Sequence, residues 1–193
     1  MNLRTPGPIP LPDEILEASA KQMINHRGPE FQDLVKNITE GLKKVYRTKN
    51  DVLTLTGSGT GSMEAAIVNT LSPGDTVLSA SIGVFGDRFA QIAEAYGAKV
   101  EKLTFPWGSA IDPDILQDTL NKNSDIKAVL VTHNETSTGV TNDLEKVAQV
   151  VKGSDKLLIV DAISSLSSLP FYTDDWGCDV VVAGSQKGWM VAP

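Results

Sequence analysis

The chain has 193 residues, 41% hydrophobic and 21% charged, an ordinary balance for one globular core. Its net charge of −7 comes without a basic block, which argues against nucleic acid or an anionic membrane surface as a partner. One cysteine, Cys178, excludes an internal disulfide and a CxxC metal site. No apolar run approaches the ~18 residues of a membrane span. Met1 to Pro6 carry no apolar signal core, so a cytoplasmic protein is expected.

Thr5-Pro6-Gly7-Pro8-Ile9-Pro10-Leu11-Pro12 holds too many prolines for a helix or a paired strand, and reads as an extended arm. Asp13 caps a helix predicted over 13–23, with Ile15, Leu16, Ala20 and Met23 on one side. His26-Arg27-Gly28-Pro29 is a loop, and His26 has a local hydrogen-bonding role there. A second helix is predicted over 29–46, with Phe31, Leu34, Val35, Ile38, Leu42 and Val45 at helical spacing.

From Asp51 the pattern alternates. Strands are predicted over 52–55, 76–78, 99–105, 128–131, 157–160 and 180–182. Helices are predicted over 61–71, 84–96, 112–121 and 142–152, with Phe85, Phe89, Ile92 and Ala93 inward on the second of these. Gly74, Gly97 and Gly153 punctuate the joins. Mostly apolar strands alternating with helices mean an α/β fold, a mainly parallel sheet with helices on both faces. Ligands bind such sheets beyond the carboxyl ends of the strands.

Four strand ends carry unusual residues. After 52–55 comes Thr56-Gly57-Ser58-Gly59-Thr60-Gly61, where glycines admit a ligand and a helix start offers free N–H groups. It reads as a phosphate cup and lacks the Lys-Ser/Thr of a P-loop. After 157–160 comes Asp161, a carboxylate that needs a positive partner if buried. After 128–131 comes Thr132-His133-Asn134-Glu135-Thr136-Ser137-Thr138-Gly139, rich in hydrogen-bonding side chains; His133 reads as structural. After 180–182, Ala183-Gly184-Ser185-Gln186 delivers Lys187, an amine placed where desolvation makes a Schiff-base nucleophile. Phe85 could cover a flat ring. Each alone has an ordinary reading: a tight turn, a cap shared with Ser164, a turn-rich loop, a solvent-facing lysine, a core aromatic. Together they match pyridoxal 5′-phosphate (PLP).

These motifs resemble the class V aminotransferases of fold type I, closest to the alanine–glyoxylate and serine–glyoxylate (serine–pyruvate) group. The resemblance runs from Pro6-Gly7-Pro8 through His26-Arg27, Ser58-Gly59-Thr60-Gly61, Gly83-Val84-Phe85-Gly86 with Arg88, Glu135-Thr136-Ser137-Thr138-Gly139 and Val160-Asp161 to Gly184-Ser185-Gln186-Lys187. It implies that Lys187 forms the internal aldimine and moves the proton between Cα and C4′. Asp161 would keep the ring nitrogen protonated, and Phe85 would stack on the ring. Ser58, Gly59 and Thr60 would hold the phosphate with Gln186 nearby. Thr136 would hydrogen-bond on the ring-oxygen side, and Gly7 would approach the substrate. Related cysteine desulfurases carry His where this chain has Gln186 and Phe85.

The resemblance further implies residues 1–28 as arm and first helix, and 29–193 as an incomplete PLP-binding large domain. A C-terminal small domain would be absent, together with an antiparallel strand between 52–55 and 180–182. The 193-residue piece alone would then be inactive. The expected activity is amino transfer from alanine or serine to glyoxylate or another 2-oxo acid, by a cytoplasmic homodimer when full length. Two alternatives stay open: a non-catalytic PLP-binding or degenerate interaction module, and a 2-aminoethylphosphonate transaminase or other class V PLP enzyme.

Overall fold

The alternating pattern builds the expected layers in a computed structural model that describes residues 3–193. The elements are α1 (Asp13–Ser19), α2 (Pro29–Tyr46), α3 (Gly59–Thr70), β1 (Thr76–Ser81), α4 (Val84–Ala95), β2 (Lys99–Thr104) and α5 (Pro113–Lys122). They continue with β3 (Ile126–Thr132), β4 (Asn134–Glu135), β5 (Val140–Thr141), α6 (Leu144–Gly153), β6 (Leu157–Asp161), α7 (Thr173–Trp176) and β7 (Val180–Val182). Five strands form one parallel sheet in the order β2-β1-β3-β6-β7, and β4 and β5 form a small antiparallel pair.

Successive strand residues point to opposite faces, so each interior strand feeds two cores. Leu78, Val129, Val131, Leu158 and Val160 meet Leu116 and Leu120 of α5 and Leu144, Val147 and Val151 of α6. Val77, Ala128, Leu130 and Ile159 meet Met63 and Ile67 of α3 and Phe89 and Ala93 of α4. That is why these strands read as unbroken apolar runs. Fully burying one such side chain contributes about 1.5–3 kcal/mol. The chain leaves β1 for β2 on one side and reaches β3 on the other. The switch point of the sheet therefore lies between β1 and β3, and in such sheets ligands bind beyond the carboxyl ends at that point.

Three expectations are corrected. Residues 52–55 form no strand, and Leu53 and Leu55 are 81% and 57% exposed. Their β-propensity is real, but a strand needs a neighbour: β7 pairs only with β6 among the described residues, and 52–55 finds no edge. The first helix stops at Ser19, and Met23 is 94% exposed. None of α1 is buried, and a short helix without packing is marginal. The second helix has its predicted bounds but buries none of its residues; Leu34, Val35, Ile38 and Val45 stay exposed. The β4–β5 pair and the short α7 are additions that the apolar pattern does not announce.

Candidate active site

β6 delivers Asp161 to the carboxyl edge of the sheet, opposite Thr132 of β3 in the ladder. Asp161 is buried, with 3% exposure. Its Oδ1 accepts from the Ile163 amide at 2.9 Å, and Thr132 Oγ1 stands 3.5 Å from Oδ2. Burial pushes its pKa up to about 6, and the nearby Glu135 charge adds to the rise. The Ile163 bond and the Lys187 charge act the other way. Asp161 is thus a turn residue as well as a poised carboxylate, but its turn partner is Ile163. Ser164 turns instead to Asn134, donating to its carbonyl at 2.8 Å.

Lys187 lies in the turn that follows β7, half-buried with Gln186. The N-terminal arm comes back to meet it. A Cβ on Gly7 would fall 2.5 Å from Lys187 Cδ and 2.7 Å from the Gln186 carbonyl oxygen. Only glycine lets the arm approach this closely. The arm thus reaches the lysine turn itself.

Ser58, Gly59 and Thr60, the residues read as a phosphate cup, stand at the start of α3. Ser58 caps the helix by accepting from the Gly61 amide at 3.1 Å. Gly59 and Thr60 open the helix at its positive end. Ile163 joins this cup to the other two pieces: an added Cβ on Gly59 would sit 2.8 Å from its Cδ1, and one on Gly184 would sit 3.3 Å from its Cγ2. Cup, Asp161 turn and lysine turn thus share one apolar contact. Sequence reading missed Ile163, because nothing local marks it.

At the switch point Phe85 opens α4, half-buried, with the Arg88 guanidinium 5.0 Å from its ring centroid. Glu135 is wholly buried and accepts from the Phe85 and Gly86 amides, each at 3.1 Å. Thr136 follows it in the turn, half-buried. Glu135 was legible only as one of several polar loop residues; its partner loop lies 50 residues away in sequence.

His133 is structural, as expected. Its Nδ1 is 2.9 Å from Ser165 Oγ, and its ring stands edge-on to Phe171 and Trp176. Burial pushes its pKa down to about 4. A depressed folded-state value means stability present above about pH 6.5 and lost as pH falls toward 4. His133→Phe should therefore lose less stability than the parent between pH 6.5 and pH 4. At pH 7 it should be weaker by about 1–3 kcal/mol, because Ser165 Oγ loses its partner. Urea unfolding of the apoprotein at both pH values tests this; a parallel pH slope would assign the acid sensitivity elsewhere.

The fold is that of a doubly wound α/β protein, and its candidate site residues gather at the carboxyl edge of the sheet. Residues 14–193 match the family model described as aminotransferase class-V, and the chain belongs to that family. It is 45% identical to the small subunit of a soluble hydrogenase from Synechococcus sp., over 99% of this chain and 50% of that protein. It is 40% identical to a serine–glyoxylate aminotransferase from Methylorubrum extorquens, over 98% of this chain and 48% of that one. An alanine–glyoxylate aminotransferase from Nostoc sp. has the same fold, with a TM-score of 0.94 at 35% identity over 98% of this chain and 50% of that chain. The expected fold, a mainly parallel sheet of the PLP-dependent aminotransferase type, is borne out. The chain spans about half the length of the curated relatives it matches.

Proposed function

We propose that the chain is the cofactor-binding part of a PLP-dependent transaminase that moves an amino group from alanine or serine to glyoxylate or another 2-oxo acid. The observation that carries the reading is Asp161, a buried carboxylate at a strand end with the Lys187 charge acting on it. A carboxylate held that far out of water favours a cation against it, and a protonated pyridine nitrogen is one. The α3 amides suit a phosphate, and Phe85 offers an aromatic face. The donor set therefore fits the cofactor.

PLP, when bound, supplies an aldehyde that condenses with amines and a ring that draws electrons from the substrate carbon. The protein does the rest. Lys187 would hold the cofactor through its aldehyde and would carry a proton from the substrate Cα to the carbon on the far side of the substrate nitrogen. Asp161 keeps the proton on the ring nitrogen. Ser58, Gly59 and Thr60 bind the phosphate, with Gln186 beside Lys187. Phe85 covers one ring face and excludes water, and Thr136 donates toward the ring oxygen. Gly7 keeps the arm against Lys187, where the substrate enters.

In this reading residues 1–28 are arm and first helix, 29–193 belong to the cofactor-binding domain, and the whole protein is a cytoplasmic homodimer. The exposed apolar side of α2 supports an assembly that covers it. The buried, free thiol of Cys178 suits a reducing compartment.

An absorbance scan with added PLP, followed by a half-reaction with alanine or serine, tests the proposal. A bound chromophore that neither amine discharges would leave a non-catalytic PLP-binding module. Gly7→Ala should lower turnover by about tenfold, since its new methyl must displace the arm or the lysine. Unfolding midpoints of variant and parent should agree, because Gly7 lies outside both cores. Unchanged turnover would detach the arm from the chemistry.

A further inference from the structure

Four helices of the sheet layers solve the problem of free N-terminal amides in two ways. α3, α5 and α6 are capped by their own preceding residues, Ser58, Asp112 and Asp143. α4 is preceded by Gly83 and has no side-chain cap of its own. Its cap comes from the loop after β3. Glu135 Oε2 accepts from Phe85 and Gly86, each at 3.1 Å. Glu135 Oε1 accepts from the Ser137 amide at 3.1 Å and the Ser137 hydroxyl at 2.6 Å, and that hydroxyl accepts from the Val84 amide at 3.1 Å. The first three amides of α4 are therefore all tied across the switch point.

Burying a carboxylate is costly when a local Ser or Asp would cap the same helix from solvent. What the imported cap adds is position. Charge-assisted bonds to consecutive amides fix the first turn of α4, and with it the Phe85 ring. The same side chain fixes the turn that carries Thr136. Contact between the loops is tight: a Cβ on Gly83 would lie 2.5 Å from Ser137 Oγ and 2.6 Å from Glu135 Cγ. We propose that Glu135 is a positioning residue that locks Phe85 and Thr136 at a set separation, so that the cofactor ring enters a slot already formed. The inference rests on the PLP reading given above and touches no cofactor atom directly.

Gln is a poor substitute for Glu here, because both oxygens accept and an amide would turn its NH2 toward N–H donors. In the PLP-loaded holoenzyme, Glu135→Gln should release PLP about tenfold faster than the parent and weaken the visible circular dichroism per bound cofactor. Gly83→Ala keeps the carboxylate but pushes it aside, and should do the same. Asp112→Ala, which uncaps α5, should lower the unfolding midpoint and leave PLP release and the visible signal unchanged. In a Phe85→Ala background, Glu135→Gln should add clearly less than its tenfold effect in the parent, because only its hold on Thr136 remains. Should Glu135→Gln fail to fold, Gly83→Ala with and without Phe85→Ala makes the same comparison. Normal release and dichroism in a less stable Glu135→Gln or Gly83→Ala protein, or full multiplication with Phe85→Ala, would reduce Glu135 to a helix cap. Absence of borohydride-fixed PLP on Lys187 of the parent would sink the transaminase reading and this inference together.

Discussion

Replacing Lys187 with alanine should abolish turnover, with a loss of about 10⁴-fold or more. In the proposed transaminase, the variant would lose both the covalent anchor for the aldehyde and the base that moves the substrate proton. Folding should survive, because the side chain is half-buried in a surface turn and belongs to neither core. Borohydride reduction of the PLP-loaded parent should fix the cofactor on the peptide that contains Lys187. The competing lysines have other duties at the opposite edge of the sheet. Lys152 pairs with Asp179 at 3.1 Å, and Lys156 donates to the Ser124 carbonyl at 2.6 Å. Label on either of them would overturn the assignment of Lys187.

Asp161→Asn should slow the half-reaction by about 10²-fold, equivalent to roughly 2.7 kcal/mol of barrier. The amide can still accept from Ile163, so the turn should survive while the charge against the ring nitrogen is lost. Cofactor affinity should fall less than the rate, since the phosphate cup is untouched. The apoprotein offers a second readout. Burial raises the folded-state pKa of Asp161 from 3.8 to about 6. Below about pH 4 the group is protonated both folded and unfolded. Above about pH 6 only the folded state must bury the charge. Its stability contribution is therefore present at low pH and lost between about pH 4 and pH 6, by at most about 3 kcal/mol. His133 works in the opposite direction over much of that window, so the difference between parent and variant is the quantity to follow. Relative to Asp161→Asn, the parent should weaken as pH rises through the window. Near-native turnover in Asp161→Asn would leave the residue with its turn to Ile163 and no part in the chemistry.

Much of this protein was determined by local sequence. Helix 29–46 and strand 180–182 occur with their predicted bounds, because 3.6- and 2-residue periods are properties of the chain itself. Asp161 and Lys187 were legible for a related reason: a charge that ends an apolar run marks the place where a strand leaves the core. Pairing decided the rest, and pairing is non-local. Residues 52–55 have strand chemistry but no neighbour, so they stay irregular. The apolar side of α2 has the right period, yet Leu34, Val35, Ile38 and Val45 stay exposed. Only the strand order brought Glu135 to the Phe85 amide, and only the returning arm brought Gly7 against Lys187. A hydrogen bond or a close approach between distant segments leaves no periodic trace in either one, so tertiary structure alone decided which of the polar loop residues hold the site together.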